Sequence, residues 1–363
     1  MTDGCLLSEE RAIYDFRSLY QKYGYARFRI SKFERYDLYV RNKDFLVSDR
    51  MITFTDSDGA LMALKPDVTL SVIKNAQLCE GGVRKLYYNE NVYRAAPGGA
   101  FKEIPQTGLE CIGEVDLYNI AEVIALAIKS LRLIKSDYVL DISHMGFVSA
   151  LMGQAGIPQD TFPGALKCVR EKNPAALEAF CAPYGRQAVA LSRVLTATYG
   201  GMGGVLDELR ALPLGEEATR AIEQLEGIYG ALKACGLEKN VNIDFSVVND
   251  MRYYNGIVFQ GFIKGIPSGV LSGGQYDRLM RKMGRDSGAI GFAVYLNELE
   301  ALDCGDEAYD VDVLLLYDKT SDVSRLLLAV ETLTAKGLRV LPRSAVPDKL
   351  RYRRLVRIDE WVG

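Results

Sequence analysis

Apolar residues recur every three to four positions from Glu9 to Tyr23, where Ile13, Phe16, Leu19 and Tyr20 share one face and Gly24 follows, so an amphipathic helix is predicted. The period then changes to two. The segments "ARFRI", "MITFTDSDGALMAL" and "RKLYYNENVYRA" alternate as strands do, and Asp56 to Gly59 supplies a hairpin turn. "APGGAFKEIPQ" reads as turn residues and "TGLECIGEV" as the next strand. Asn119 to Ile134, "NIAEVIALAIKSLRLI", is apolar on most faces and predicts a helix packed hard against that sheet. Val139 to Ile142 adds a strand.

From about residue 147 to 236 the pattern becomes Ala-, Leu- and Glu-rich with helical spacing and few strand signals, as a helical insertion would be. Strand patterns return in "VNIDFSVVNDMRYYNGIVFQGFI" and "GVLSGGQYDRLMRKMG", and "SGAIGFAVYLNELEAL" reads as a strand feeding a helix. After the polar Cys304 to Glu307 linker come a strand "VDVLLLY", a helix ended by Gly337 and a strand "LRVLP". The expected fold is α+β: a core over 1–302, an antiparallel sheet flanked by helices with the insertion inside it, and a short α/β segment over 303–363.

Composition narrows the chemistry. At 363 residues with 48% hydrophobic and 25% charged residues, the chain has the profile of an ordinary globular protein. It contains no run of about 18 apolar residues and no basic stretch leading an apolar N-terminal segment, so a cytoplasmic protein without a membrane anchor is expected. Seven cysteines lack C-x-x-C spacing, and no Cys/His ligand set points to a metal; no cofactor is expected. The single histidine, His144, stands among apolar residues and reads as structural, which leaves Ser/His/Asp and His-metal catalysis without materials. A net charge of −3 advertises no nucleic-acid field. The basic cluster "DKLRYRRLVR", Asp348 to Arg357, reads as a solvated strand or helix edge, with phosphate or partner binding as the other possibility.

The most suggestive stretch is "VVNDMRYYNGIVFQGFIKG", Val247 to Gly265, which resembles the wall of a polar ligand pocket with Asn249 and Asp250 immediately upstream of its tyrosines. It is one of several ordered segments, from Leu6 to Leu302, that together resemble a class II aminoacyl-tRNA synthetase core of the histidyl type. "YQKYGYARFRISKFE" is similar to the dimer-forming first motif, with Ser31 where proline is usual. "ALKPDVTLSVIKNA" resembles the Arg-Pro-Glu-Gly-Thr segment, and "LYYNENVYRAAPGGAFKEIPQTGLECIGE" the second motif. "MRYYNGIVFQGF" resembles a histidine-specific signature, and "SGGQYDRLMRKMG" leads to the third motif in "AIGFAVYLNEL".

The resemblance assigns histidine-holding positions to Asp67, Thr69, Gln106, Glu110, Tyr253 and Tyr254. The residue chemistry agrees, since carboxylates suit an ammonium or an imidazole N–H, and amides and phenols orient a small polar ligand. Gln106 and Glu110 have the even spacing that puts both on one face of a strand. Tyr253 and Tyr254 alternate on a strand, so one can face the core or a dimer surface. Gly273 and Gly274 read as a backbone turn beside the pocket in preference to a phosphate cradle.

The nucleotide side implied by the resemblance is damaged. Arg94 matches the second-motif arginine, but Ala96 and Ala100 replace a glutamate and an arginine. Asn249 stands for the catalytic arginine, Asp250 for the next glycine, and Glu298 for the third-motif arginine. A lost charge-assisted phosphate contact costs roughly 1.5–3 kcal/mol. A lost preorganised donor costs on the order of 10²–10³ in rate. Amino-acid activation is therefore not expected. The C-terminal segment covers only part of the anticodon-binding domain of such synthetases, which weakens that route to tRNA.

An intact amino-acid pocket beside broken activation chemistry resembles the regulatory-subunit family of ATP phosphoribosyltransferase. That resemblance implies no catalysis of its own, a short-form catalytic subunit as partner in the first step of histidine biosynthesis, and feedback inhibition by histidine as effector. It also implies a homodimer or larger assembly within a hetero-oligomer. An active histidyl-tRNA synthetase and a tRNA-binding paralogue using Asp348 to Arg357 are the alternatives.

Overall fold

The computed structural model describes residues 7–43, 50–76, 82–96, 98–248, 254–303 and 309–361; Asn249, Asp250 and Tyr253 lie outside them. The chain divides into Met1–Glu300 and Ala301–Gly363.

The first unit opens with helix α1 (Ser8–Lys22), which buries Ala12, Phe16 and Tyr20 along one stripe. Glu9 and Glu10 lie in its first turn and Lys22 in its last, each opposing the local end of the helix dipole. Strand β1 (Ala26–Arg27) leads to a small antiparallel sheet of β2 (Phe33–Arg35), β3 (Thr53–Thr55) and β4 (Leu61–Leu64), with α2 (Tyr36–Arg41) after β2. The β3–β4 hairpin turns where the sequence places it, Gly59 N–H donating to the Asp56 carbonyl at 2.9 Å.

Helix α3 (Val68–Asn75) precedes a long antiparallel pair, β5 (Val83–Ala95) and β6 (Phe101–Gly113). Here the expectation of turn residues through Gln106 is corrected. Only the residues around Gly98 and Gly99 turn, closed by Ala96 N–H on the Ala100 carbonyl at 2.7 Å, and β6 already runs from Phe101. Pro105 is tolerated in a strand because the neighbour on β6's other side pairs only from Gln106 onward, leaving Pro105 at a free margin.

Helix α4 (Leu117–Ile134) is capped by Asp116, whose carboxylate accepts from Asn119 N–H at 2.9 Å, and it buries most of its faces. Strand β7 (Tyr138–His144) then enters a helical stretch, α5 (Met145–Gln154), α6 (Phe162–Arg170), α7 (Pro174–Cys181), α8 (Arg186–Ala197), α9 (Met202–Arg210) and α10 (Glu216–Ala234). A short strand, β8 (Tyr199–Gly201), interrupts these helices; its Tyr-Gly-Gly sequence carries no alternation that could announce it. Next come β9 (Val241–Asp244), β10 (Ile257–Ile263), β11 (Leu271–Gln275), α11 (Asp277–Lys282), β12 (Gly288–Tyr295) and α12 (Glu300–Asp303).

Nine strands form one sheet in the order β1-β5-β6-β12-β11-β10-β7-β9-β8. Only the β1–β5 and β7–β9 pairs are parallel. Helix α4 packs on β10 and β12 from one face and on α1, so the sheet's centre is rigidly backed.

His144 caps α5. Its Nδ1 accepts from Phe147 N–H at 3.2 Å while its Nε2 is 2.8 Å from Gln224 Oε1, a pairing that requires the neutral ring with the proton on Nε2. Burial holds its pKa below the ordinary value. The folded state thus binds fewer protons than the unfolded one, and this cap's stability is present above the ordinary histidine value, near about 6.5, and lost as pH falls from there through the lowered folded-state value. Acid-limb melting curves are expected to lose that dependence in His144→Asn, which keeps a capping acceptor.

The second unit contains β13 (Val311–Leu316), α13 (Val323–Ala335), β14 (Val340–Arg343) and β15 (Tyr352–Arg357), with the strands parallel in the order β14-β13-β15. Leu315, Ala329 and Ile358 form its small core. The basic cluster becomes β15, an exposed strand. Among the described residues, no helix is long and apolar enough to cross a membrane and no His/Cys/Asp/Glu group is set to hold a metal.

Candidate functional site

The site lies on the face of the central sheet at β6, β12 and β11. Gln106, Gly108 and Glu110 follow one another on one face of β6. Opposite Glu110 stands Gly291 of β12, and opposite that Gly274 of β11. These glycines make the floor. A Cβ on Gly291 would lie 1.7 Å from Glu110 Oε2, one on Gly274 would lie 2.6 Å from the Tyr254 ring, and one on Gly108 would lie 2.6 Å from the Tyr88 hydroxyl. Each glycine thus leaves room for a neighbouring side chain brought down onto the sheet: the Glu110 carboxyl, the Tyr254 ring and the Tyr88 phenol. Gly273 and Gly274 are accordingly neither a turn nor a phosphate cradle but strand residues of β11, which corrects the sequence reading.

Helix α3 supplies one wall. Asp67 caps it, accepting from Leu70 N–H at 2.9 Å, and this sets Thr69 in the first turn, where its hydroxyl donates to Glu110 Oε1 at 2.9 Å. The Tyr276 hydroxyl, at the start of α11, donates to Glu110 Oε2. Glu110 is 2% exposed, and burial pushes its pKa up to about 8, with the Asp67 charge adding to the rise and the Tyr276 and Thr69 hydrogen bonds opposing it. Burial also raises Asp67, against the pull of Arg94 and of the α3 backbone N–H groups. Tyr254 and Tyr88 are raised by burial too, and both sense the charges of Asp67 and Glu110. Gln106 is 3% exposed, and its Nε2 has no hydrogen-bond partner among the described residues. A buried N–H₂ left so is costly unless a ligand supplies an acceptor.

The structure therefore brings Asp67, Thr69, Glu110 and Tyr254 into one buried cluster, with Gln106 on the same face of β6 as Glu110. Tyr254 reaches it from the segment before β10, not from a strand as expected. Tyr253 and Asn249 lie outside the described residues. Arg94 is turned inward: its Nε donates to the Pro66 carbonyl at 2.8 Å and its guanidinium lies 3.9 Å from Asp67. Glu298 takes hydrogen bonds from Ser268 and Asn297, so its carboxylate is engaged away from the cluster. Sequence reasoning missed Tyr276 and Tyr88. Tyr276 follows the singled-out glycines in "SGGQY", and the glycine-tyrosine juxtaposition was the available signal.

A cavity of about 670 Å³ opens beside the cluster, lined by His144, Ser149, Arg220, Gln224 and Arg278 among others, and it shares only Tyr254 with the cluster. The two carboxyls, the unpartnered amide and the phenols make the cluster itself the better-built site for a small ligand carrying an ammonium and a hydrogen-bond acceptor.

Fold and site together define a class II synthetase-like protein of the histidyl type. The family model of histidyl-tRNA synthetase matches residues 7–299. A solved structure described as an ATP phosphoribosyltransferase regulatory subunit/histidyl-tRNA synthetase from Bacillus halodurans superposes with a TM-score of 0.71 at 24% identity, covering 96% of this chain and 93% of that one. An ATP phosphoribosyl transferase complex from Thermotoga maritima matches with a TM-score of 0.63 at 19% identity, over 79% of this chain and 97% of that one. The ATP phosphoribosyltransferase regulatory subunit of Caldanaerobacter subterraneus subsp. tengcongensis is 31% identical over 77% of this chain and 74% of its own length. The chain belongs to the ATP phosphoribosyltransferase regulatory subunit family, a branch of the histidyl-tRNA synthetase-like proteins.

Proposed function

We propose that this chain is a cytoplasmic regulatory subunit without catalysis of its own, which binds histidine at the Asp67–Glu110 cluster and acts on a separate, short-form ATP phosphoribosyltransferase catalytic subunit. On this reading, the core spans 1–302 and the short C-terminal segment 303–363, and the chain assembles as a homodimer or larger unit within a hetero-oligomer. The carrying observation is the pairing of a buried acidic cluster and a Gln106 amide that has no partner among the described residues with an Arg94 held by Pro66 and Asp67. An arginine so engaged is a poor phosphate ligand, whereas the acidic cluster suits an amino acid's ammonium. Relatives named as regulatory subunits and the Thermotoga maritima complex support the partner assignment.

Histidine can inhibit the partner only by preferring one of two assembly states. The expected result is that the purified chain binds histidine by calorimetry and activates the short-form catalytic subunit, and that added histidine reverses the activation. A chain that binds neither histidine nor that subunit refutes the proposal. Because the matching family model is that of a synthetase, histidine-dependent pyrophosphate exchange is the counter-test; a robust signal from this chain alone would establish activation chemistry instead.

A further inference from the structure

We propose that an amino-acid ligand enters the pocket in exchange for the proton of Glu110, so that occupancy rises with pH; this rests on the pocket reading given above. The geometry carries it. Among the described residues, both hydrogen bonds to the Glu110 carboxyl come from neutral hydroxyls, Thr69 on α3 and Tyr276 at the start of α11, and neither comes from a cation. The β12 neighbour, Gly291, offers no side chain at all. Asp67 faces it as a second carboxyl, and Arg94, the cation of this group, is held by the Pro66 carbonyl and inclines to Asp67. Tyr88 from β5 and Tyr254 ahead of β10 feel its charge but are held neutral by burial. Tyr25 and Cys111, which also sense it, are likewise raised by burial.

Among the described residues no cation is hydrogen-bonded to an ionised Glu110, and burial raises the carboxyl's pKa to about 8. An arriving α-ammonium supplies a positive charge, the carboxylate becomes the favoured form, and its proton passes to solvent. Affinity is then expected to rise about fivefold from pH 7 to pH 8 and to level off above that. The ligand's imidazole titrates lower, near about 6.5, so the two protonations are separable.

The test is calorimetric titration of histidine into the full chain at pH 7.2, in phosphate and in Tris, whose ionisation enthalpies differ. The expected result is a difference in observed heat equivalent to release of nearly one proton, shrinking to a small fraction of that by pH 8.8. Thr69→Val is expected to keep the release. Glu110→Gln is expected to bind more weakly with no buffer dependence; should it not bind, the wild-type buffer dependence and its decline at pH 8.8 decide. Histidine binding with equal heats in both buffers and a flat affinity from pH 7 to 8 overturns the inference while leaving the proposed function standing. Absence of binding at every pH overturns both.

Discussion

Glu110→Ala is expected to weaken histidine binding by about a hundredfold or more, as truncating one partner of a buried charged pair does. In the free chain the same substitution has opposing effects on stability. It leaves the Thr69 and Tyr276 hydroxyls without their acceptor, a cost of about 1–3 kcal/mol for each that stays buried and unpaired. It also removes a carboxyl that burial disfavours in its ionised form. Because the folded-state pKa is raised, the wild-type group's contribution to stability is fully present below the ordinary glutamate range, near about 4.3, and lost as pH rises through about 8. The variant is therefore expected to lose most in melting temperature at about pH 4 and least above pH 8. Thr69→Val removes one hydrogen bond but no charge and is expected to weaken binding tenfold or less. If Glu110→Ala titrates with histidine as the parent does, the pocket assignment is wrong.

The sequence carried much of this because the informative signals were periodic or local. The Gln106–Glu110 spacing placed both side chains on one strand face, and β6 keeps them there. The helix period of α1 and α4 and the Asp56–Gly59 turn were equally plain, being set by neighbours within a few residues. What stayed hidden depends on register. Gly274 lies opposite Gly291, and Gly291 opposite Glu110, only because β11, β12 and β6 pair in one particular alignment. A glycine pair in "SGGQY" therefore resembled a turn. The phenols of Tyr88 and Tyr276 reach Glu110's surroundings from separate elements, β5 and α11, and no spacing rule links them. Arg94 matches the second-motif arginine on the vestigial nucleotide side, but its position in a motif did not disclose that the Pro66 carbonyl engages it.

Gly291→Ala is expected to damage stability and histidine binding together. The added Cβ would fall 1.7 Å from Glu110 Oε2 and 2.5 Å from the Leu109 carbonyl oxygen, both far inside contact distance. The carboxyl could swing aside only by giving up its Thr69 and Tyr276 partners, whereas the carbonyl belongs to the backbone of the adjoining strand and has little freedom to move. Overpacking of this kind costs roughly 1–3 kcal/mol, and displacement of Glu110 adds loss of histidine binding to the loss of stability. Denaturant unfolding and calorimetric titration of the same preparation measure both. The decisive comparison is with Gly291→Ala combined with Glu110→Ala. Removing the carboxyl relieves the closer clash, so the double variant is expected to be more stable than the sum of the two single effects, while binding stays lost. Additive stability effects would mean that Gly291 serves strand packing against Leu109 alone. Coupled effects would tie the missing side chain on β12 to the room that Glu110 occupies.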